Sequence, residues 1–407
     1  MIGKRFLIFI TIVFAILGST YLVIQLAKGY KPDLGKKTFL PTGLLVATSI
    51  PDGAQVWLNN QLKSATNTTI SLSPGTYEVE IKKDGFIPWK KTLKIEKELV
   101  VKTDAYLFPQ VSDLKALTFT GAQNPVFSPD GTKIVYSVSG AEVDKNGLWV
   151  LDLSELPFGQ QWLPKEPRQI VRSVLHGRDF SKSTYKWSPD SKQILVSLPS
   201  RHGLAVTEKL GKTEENFLVD VSVFTTNTQL VDVFANLTTI QRLWEKEAKE
   251  RGDQKLKKLP QELLKIIQGS SQDIVFAPDE TKILYTATAS ANISENLIPA
   301  LPAASTQKQE RTIKVGQTYV YDIKEDRNFW IAAEGANIAW FPTSKHLIQV
   351  EKEKIIIMEY DGTNRTVVYS GPYEFPFAFP FPAGNKILIL TALGKDLPLN
   401  LYAISLR

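Results

Sequence analysis

Residues 6–27 form one unbroken apolar run, FLIFITIVFAILGSTYLVIQLA, whose polar members Thr11, Ser19, Thr20 and Gln25 carry no charge. As a helix rising 1.5 Å per residue the run spans about 33 Å, enough to cross the hydrocarbon core of a bilayer. Lys4 and Arg5 precede it and Lys28 follows it. A cleaved signal peptide competes with this reading, but such peptides have shorter apolar cores and a small-x-small cleavage site. Leu26-Ala27-Lys28-Gly29 offers no such site. Residues 1–5 are thus a short tail, 6–27 a transmembrane helix and 28–40, with Pro32 and Gly35, a juxtamembrane stalk. Beyond residue 40 the period changes. Runs 44–50, 55–59, 76–81, 92–95 and 99–107 alternate or are short and β-rich, and Pro51-Asp52-Gly53-Ala54, Ser73-Pro74-Gly75 and Asp84-Gly85-Phe86 punctuate them. Tyr77, Val79 and Ile81 share one face of a strand. Residues 41–109 therefore predict a compact β-sandwich with no helix.

From residue 110 onward the pattern repeats. Phe127-Ser128-Pro129-Asp130-Gly131-Thr132-Lys133-Ile134 recurs as Trp187-Ser188-Pro189-Asp190-Ser191-Lys192-Gln193-Ile194 and as Phe276-Ala277-Pro278-Asp279-Glu280-Thr281-Lys282-Ile283. Weaker copies begin at Trp340-Phe341-Pro342 and Phe381-Pro382. In each, an aromatic closes a strand, the following residues build a type I turn, and a β-run follows. A second run trails each copy, at 148–153, 221–224, 319–323, 355–360 and 401–405, and 365–369 supplies a fourth strand. Four strands per repeat is the unit of a propeller blade, and five are counted. Residues 115–120 read as a fourth strand placed before the first copy, while the last repeat stops at its third. Pairing of the two would close the ring. Residues 236–269 break the pattern with helical spacing at Leu237, Ile240, Leu243, Trp244 and Ala248. Asn236 is the expected N-cap, and Gly252 the expected stop. Pro260 opens a second helix that Gly269 ends. Residues 289–311, rich in Ala, Ser and Pro, predict a flexible loop.

Two resemblances follow from these motifs. Pro51-Asp52-Gly53-Ala54, Val56-Trp57-Leu58, Pro74-Gly75-Thr76-Tyr77 and Asp84-Gly85-Phe86 resemble the PEGA domain, with Asp52 in place of the eponymous Glu and Asn59-Asn60 where Asp-Gly is usual. The repeats of residues 110–407 resemble the TolB-like β-propeller, a group in which six blades are common and remain possible here. The fold class is thus all-β with one N-terminal transmembrane helix: a small PEGA-like β-sandwich plus a β-propeller carrying a helical insertion. The first resemblance implies an envelope-associated module without catalysis.

Charge and chemistry narrow the function. The net charge is +6, but residues 1–38 carry Lys4, Arg5, Lys28, Lys31, Lys36 and Lys37 against Asp33, a net of +5. The remaining chain has no basic face for a phosphate backbone, so no nucleic acid is expected. Charge is heavier on the C-terminal side of the helix, yet long domains translocate largely regardless of it. The two resemblances imply export, so the ectodomain is placed outside the cytoplasm, on a single-pass protein of the cell membrane. The chain has no cysteine, which excludes disulfides and thiolate chemistry. His176, His202 and His346 do not cluster, and no hydrolase, nucleotide or metalloprotease motif occurs. Asp130, Asp190 and Asp279 recur as turn formers. Asp144-Lys145-Asn146-Gly147 lacks the spacing of a Ca²⁺ loop and reads as a hairpin turn. Arg251-Gly252-Asp253 matches an adhesion tripeptide by letter only. Tyr373, Phe375, Phe377, Phe379 and Phe381 alternate as in a buried blade strand. No catalytic, cofactor-binding or metal-ligating residue is assigned, and no cofactor is expected. The expected partners are the bilayer, through residues 6–27, and an envelope protein, peptide or wall glycan bound by the propeller. The rival is a glycan-active enzyme with carboxylates in the propeller channel; a sensor ectodomain fits less well, because few residues precede the helix.

Overall fold

A computed structural model describes residues 3–27, 30–33, 38–140, 142–154, 166–173, 178–199, 214–226, 228–299 and 307–407. The chain divides into two compact units, 1–110 with 299–309, and 111–298 with 310–407.

In the first unit, Lys4–Ala27 is one helix, within which Phe6–Gln25 is long and apolar enough to cross a membrane and is unburied by protein. Two of its hydroxyls bond within the helix: Thr11 donates to the Leu7 carbonyl and Ser19 to that of Ile16, both at 2.9 Å. The stalk is not featureless, because Lys31–Asp33 pairs antiparallel with Thr38–Leu40. The sandwich packs two layers. One is the antiparallel sheet Gln61–Ala65, Gln55–Leu58, Gly75–Lys82 and Trp89–Ile95. The other joins Thr68–Leu72 to Gly43–Ala47, with Val100–Lys102 parallel on its far side. Alternation supplies the core of Val56, Leu58, Val79, Ile81, Leu93 and Ile95. Asn59 and Asn60 both adopt positive φ (47° and 63°), the demand of a two-residue hairpin that Asn meets at little cost. Thr66 ties down the Pro51–Ala54 turn, its Oγ1 accepting from Ser49 Oγ at 2.9 Å and from the Ala54 amide at 3.0 Å.

The second unit contains five blade sheets among the described residues. Blade one is Gln123–Phe127, Lys133–Val138, Gly147–Asp152 and Arg168–Arg172, with Thr225–Thr226 added parallel at its edge. Blade two is Thr184–Trp187, Gln193–Pro199 and Glu214–Asp220. Blade three is Ser271–Phe276, Lys282–Ala287, Thr318–Asp322 and Arg327–Ala332. Blade four is Asn337–Trp340, His346–Glu351, Lys354–Glu359 and Thr366–Ser370. Blade five joins Ala378–Pro380, Lys386–Thr391 and Asn400–Ser405 to Leu114–Ala116, so the two ends of the domain share one sheet. Leu117 extends the ladder to the Leu401 carbonyl at 2.8 Å, and the expected closure is present with its strand beginning one residue earlier. Blade five then packs Leu388, Leu390 and Leu401 against Ile134, Tyr136 and Leu151 of blade one.

All five turns between first and second strands share one geometry. The residue opening each turn (Ser128, Ser188, Ala277, Phe341, Phe381) donates its amide to the carbonyl five residues on and accepts from the amide three residues on. That third residue has positive φ every time: Gly131, Ser191, Glu280, Ser344 and Gly384. The indoles add a link between blades. Trp187 donates Nε1–H to the Val126 carbonyl at 3.1 Å and Trp340 to that of Val275 at 2.9 Å.

Four sequence expectations are corrected. The trailing strand of blade two is Glu214–Asp220 rather than 221–224, because Phe217 and Val219 supply its buried face. A single bridge from Phe217 to Asp232 stands where its fourth strand would be. The first insertion helix does not stop at Gly252 but runs Leu237–Leu256, and Asn236 makes no side-chain cap. The ends of the 289–311 loop are pinned by pairing of Ala291–Asn292 with Thr312–Ile313, which buries Ile293 and Ile313. The second insertion helix, Gln261–Ser270, is core: Leu263 and Ile267 pack on Ile283, Tyr285, Tyr319 and Tyr321 of blade three. The opposite face of that blade, Leu284, Val320 and Phe329, meets blade four. Lys186, on the face of blade two turned away from blade one, reaches Glu245 of the first helix. The helical pair thus stands between blades two and three.

Candidate functional site

The first strand of each blade bears on its neighbour: the Trp187 and Trp340 indoles cross to the preceding blade, and the tilted rings of Phe127 and Phe379 lie 4.1 Å apart between centroids. Beside the turns that end these strands in blades one and two, the first insertion helix roofs a cleft of about 400 Å³. Pro129, Pro189 and Trp187 form its floor, and Trp244 and Ala248 its roof. Four charges ring it, Asp130 and Glu245 against Lys186 and Arg251. Contact across the cleft is thin. Lys186 Nζ lies 3.4 Å from Glu245, and Arg251 donates to the Pro189 carbonyl at 2.7 Å while pairing with Glu247 at 2.6 Å. No residue of this 20-residue helix is buried. The Trp244 indole N–H has no hydrogen-bond partner among the described residues. Sequence reasoning placed Trp244 on a helix and missed the cleft. The available signal was the helix itself, whose 241–258 segment is mostly Lys, Arg and Glu around too narrow an apolar stripe to be buried.

The recurring aspartates serve the turns. Asp130 Oδ1 accepts from Ser128 Oγ at 2.6 Å and the Thr132 amide at 3.0 Å, Asp190 from Ser188 Oγ at 2.6 Å, and Asp279 from the Thr281 amide at 3.0 Å. Neighbouring blades are stitched here too, since the Asp130 amide donates to Ser191 Oγ and that of Asp279 to Ser344 Oγ. All three carboxyls are held below the usual range. The Ser188 hydroxyl does this for Asp190. For Asp130 and Asp279 burial opposes ionisation, and the hydrogen bonds from Ser128, Thr132 and Thr281 outweigh it. A lowered folded pKa stabilises fully above the unfolded value, about pH 4, and the contribution fades as pH falls through the folded value. The melting temperature should therefore hold from about pH 7 to about pH 5 and drop below about pH 4, less steeply when all three are Asn. Asp279→Ala alone should cost about 0.5–2 kcal/mol and leave ligand binding intact. An unchanged melting temperature with binding lost would move that carboxylate into a site.

The other candidates disperse. His346 is buried, its Nδ1 2.8 Å from Thr343 Oγ1; His176 and His202 lie outside the described residues. Asp144 sits in a turn closed by Gly147, where a Cβ would meet the Val171 carbonyl at 2.0 Å. Arg251-Gly252-Asp253 is helical. The aromatic run is not one buried strand: only Ala378–Pro380 is extended, and Phe375 and Phe379 are exposed. Among the described residues no cluster of three or more His, Asp or Glu side chains is arranged to hold a metal.

The fold defines a propeller, with five blades among the described residues, on a chain that carries a small β-sandwich and an apolar N-terminal helix. Residues 42–110 match the family model of the PEGA domain. No curated protein matches the chain. Among solved structures it is similar to TolB from Acinetobacter baumannii (14% identity, TM-score 0.21), covering 81% of this chain and 59% of that one. It is also similar to an oligogalacturonate lyase from Vibrio parahaemolyticus (7% identity, TM-score 0.25, 82% and 86% covered). A third is the propeller domain of the Trilobed protease from Pyrococcus furiosus (12% identity, TM-score 0.18, 89% and 82% covered). The propeller reading rests on the strand registers, not on these likenesses.

Proposed function

We propose that this chain is a membrane-tethered recognition protein of the cell envelope, which holds its propeller outside the cytoplasm and binds a protein, peptide or wall glycan there. The observation that carries the reading is the roofed cleft: a concave, tryptophan-lined space with a few convergent polar groups has the form of a ligand site. An enzymatic role in the propeller channel finds less support. The first strands of the five blades contribute a single described carboxylate, Asp273, whereas glycoside hydrolysis calls for two facing the scissile bond.

Two measurements test this. The full chain should sediment with membranes, resist carbonate extraction and keep its N-terminus; a soluble mature form beginning near residue 28 would restore the signal-peptide reading. A photo-crosslinker at Ala248, in the cleft, should capture an envelope component in cells, while one at Lys352, in a tight turn of blade four, should not. Equal capture at both positions, or none at either, ends the cleft as the binding site.

A further inference from the structure

We infer that the cleft takes an uncharged saccharide chain, an inference that rests on the recognition reading and names its ligand. The chemistry of the lining selects among the candidates. Two carboxylates and two cations ring the space, Asp130 and Glu245 against Lys186 and Arg251. The ring is neutral, so it neither attracts a polyanion nor a polycation. It presents acceptors and donors together. An extended proline-rich segment brings acceptor carbonyls and few donors, because proline has no N–H. Asp130 is already held by Ser128 and Thr132, and Arg251 by the Pro189 carbonyl and Glu247, so such a segment would engage Lys186 and the Trp244 indole and leave Glu245 without a donor once Lys186 turns to it. Hydroxyl groups both donate and accept, so a sugar answers Lys186, Glu245 and Trp244 together.

The apolar surfaces agree. Trp244 above and Trp187 with the two prolines below enclose a slot with one polar rim. A pyranose has that amphipathy, a C–H face for stacking on an aromatic ring and an equatorial edge of hydroxyls. Trp187 is fixed, since its indole N–H is spent on the Val126 carbonyl and its ring is buried against blade one. Trp244 sits on a helix with no buried residue and keeps its N–H unspent. It is therefore the side chain that adjusts to the ligand, and the ion pair of Lys186 with Glu245 at 3.4 Å is loose enough to open for it.

The test uses the full chain in lipid nanodiscs, avoiding sugar detergents, with four probes: tetra-N-acetylglucosamine, maltotetraose, tetragalacturonate and a proline decapeptide. At least one uncharged tetrasaccharide should bind and shift the intrinsic tryptophan emission. Trp244→Ala should weaken that binding by roughly tenfold or more at unchanged melting temperature, and Trp244→Phe, which keeps a stacking ring, should retain most of it. No uncharged saccharide binding at millimolar concentration, or binding indifferent to Trp244→Ala, overturns the inference. Binding of the decapeptide alone, lost in Trp244→Ala, overturns the saccharide and leaves the recognition reading standing. That reading falls separately, on the failure of capture at Ala248.

Discussion

Deleting residues 401–407 should abolish cooperative unfolding of the propeller. The strand Asn400–Ser405 is paired on both sides, with Lys386–Thr391 and with Leu114–Ala116. Removing it strips two ladders and opens the ring. Leu401, Ile404 and Leu406 are at most 1% exposed, and burying three such side chains contributes about 5–9 kcal/mol, much of the stability of an ordinary domain. Differential scanning calorimetry would show the sharp transition lost. The converse variant locks the ring. Ala116 and Tyr402 face each other across the closure. The flanking pairs Lys115 with Ala403 and Leu117 with Leu401 belong to the hydrogen-bonded set. Ala116–Tyr402 is therefore a non-hydrogen-bonded pair, the closer kind and within disulfide reach. Because the chain has no cysteine, Ala116→Cys with Tyr402→Cys has a single way to oxidise. Chain-entropy reasoning for so long a loop gives about 5 kcal/mol of stabilisation. A normal transition after the deletion, or a cysteine pair that stays reduced under mild oxidant, would show that the ends are not joined.

Ile267→Asp should destabilise the propeller by about 3–5 kcal/mol, while Leu243→Asp changes it by no more than about 0.5 kcal/mol. The two positions lie in one insertion and are both leucine-like in sequence. Ile267 is fully buried among Ile283, Tyr285, Tyr319 and Tyr321, where an aspartate would be an unpaired charge. Leu243 is 56% exposed on the helix that roofs the cleft. Urea midpoints of the two variants measure the difference. A negligible loss at Ile267 as well would mean that the helical pair is ornament on a ring closed without it.

The comparison of these two helices also shows where the sequence could be read and where it could not. Anchor, sandwich and blades were legible because each is written locally: an uncharged apolar run, turn residues at fixed offsets, and strands of period two. The degenerate fourth and fifth copies fold like the others because the turn needs a left-handed residue three places on, and Ser344 and Gly384 both supply it. The motif letters hide this, since Ser191 and Glu280 do the same without glycine. The third strand of blade two was misplaced because Glu214, Glu215 and Asp220 mask a short apolar centre, while Val221-Ser222-Val223-Phe224 imitates alternation. Gly252 was read as a stop, but its penalty of about 1 kcal/mol is offset in part by the pairs Glu247–Arg251 and Lys246–Glu250 at helical spacing. The exposed helix beside the cleft could be read, but the cleft itself could not. It brings together residues some sixty positions apart, and nothing local to Pro129, Lys186 or Trp244 announces that they meet.

The helical pair adds no strand to either neighbouring sheet. Apart from the Ser270 carbonyl, which accepts from the Thr288 amide at 2.8 Å, it fills an arc of the ring through side chains, so its identity is not indexed to any strand register. A replacement for residues 234–270 has only to span the same gap and cover the apolar face of blade three. The blades would keep their pairing, and the closure at blade five would be untouched. What would change is the roof over the cleft. The strands fix the ring through their registers, while the first helix, with no buried residue, can change its exposed face without altering any of them.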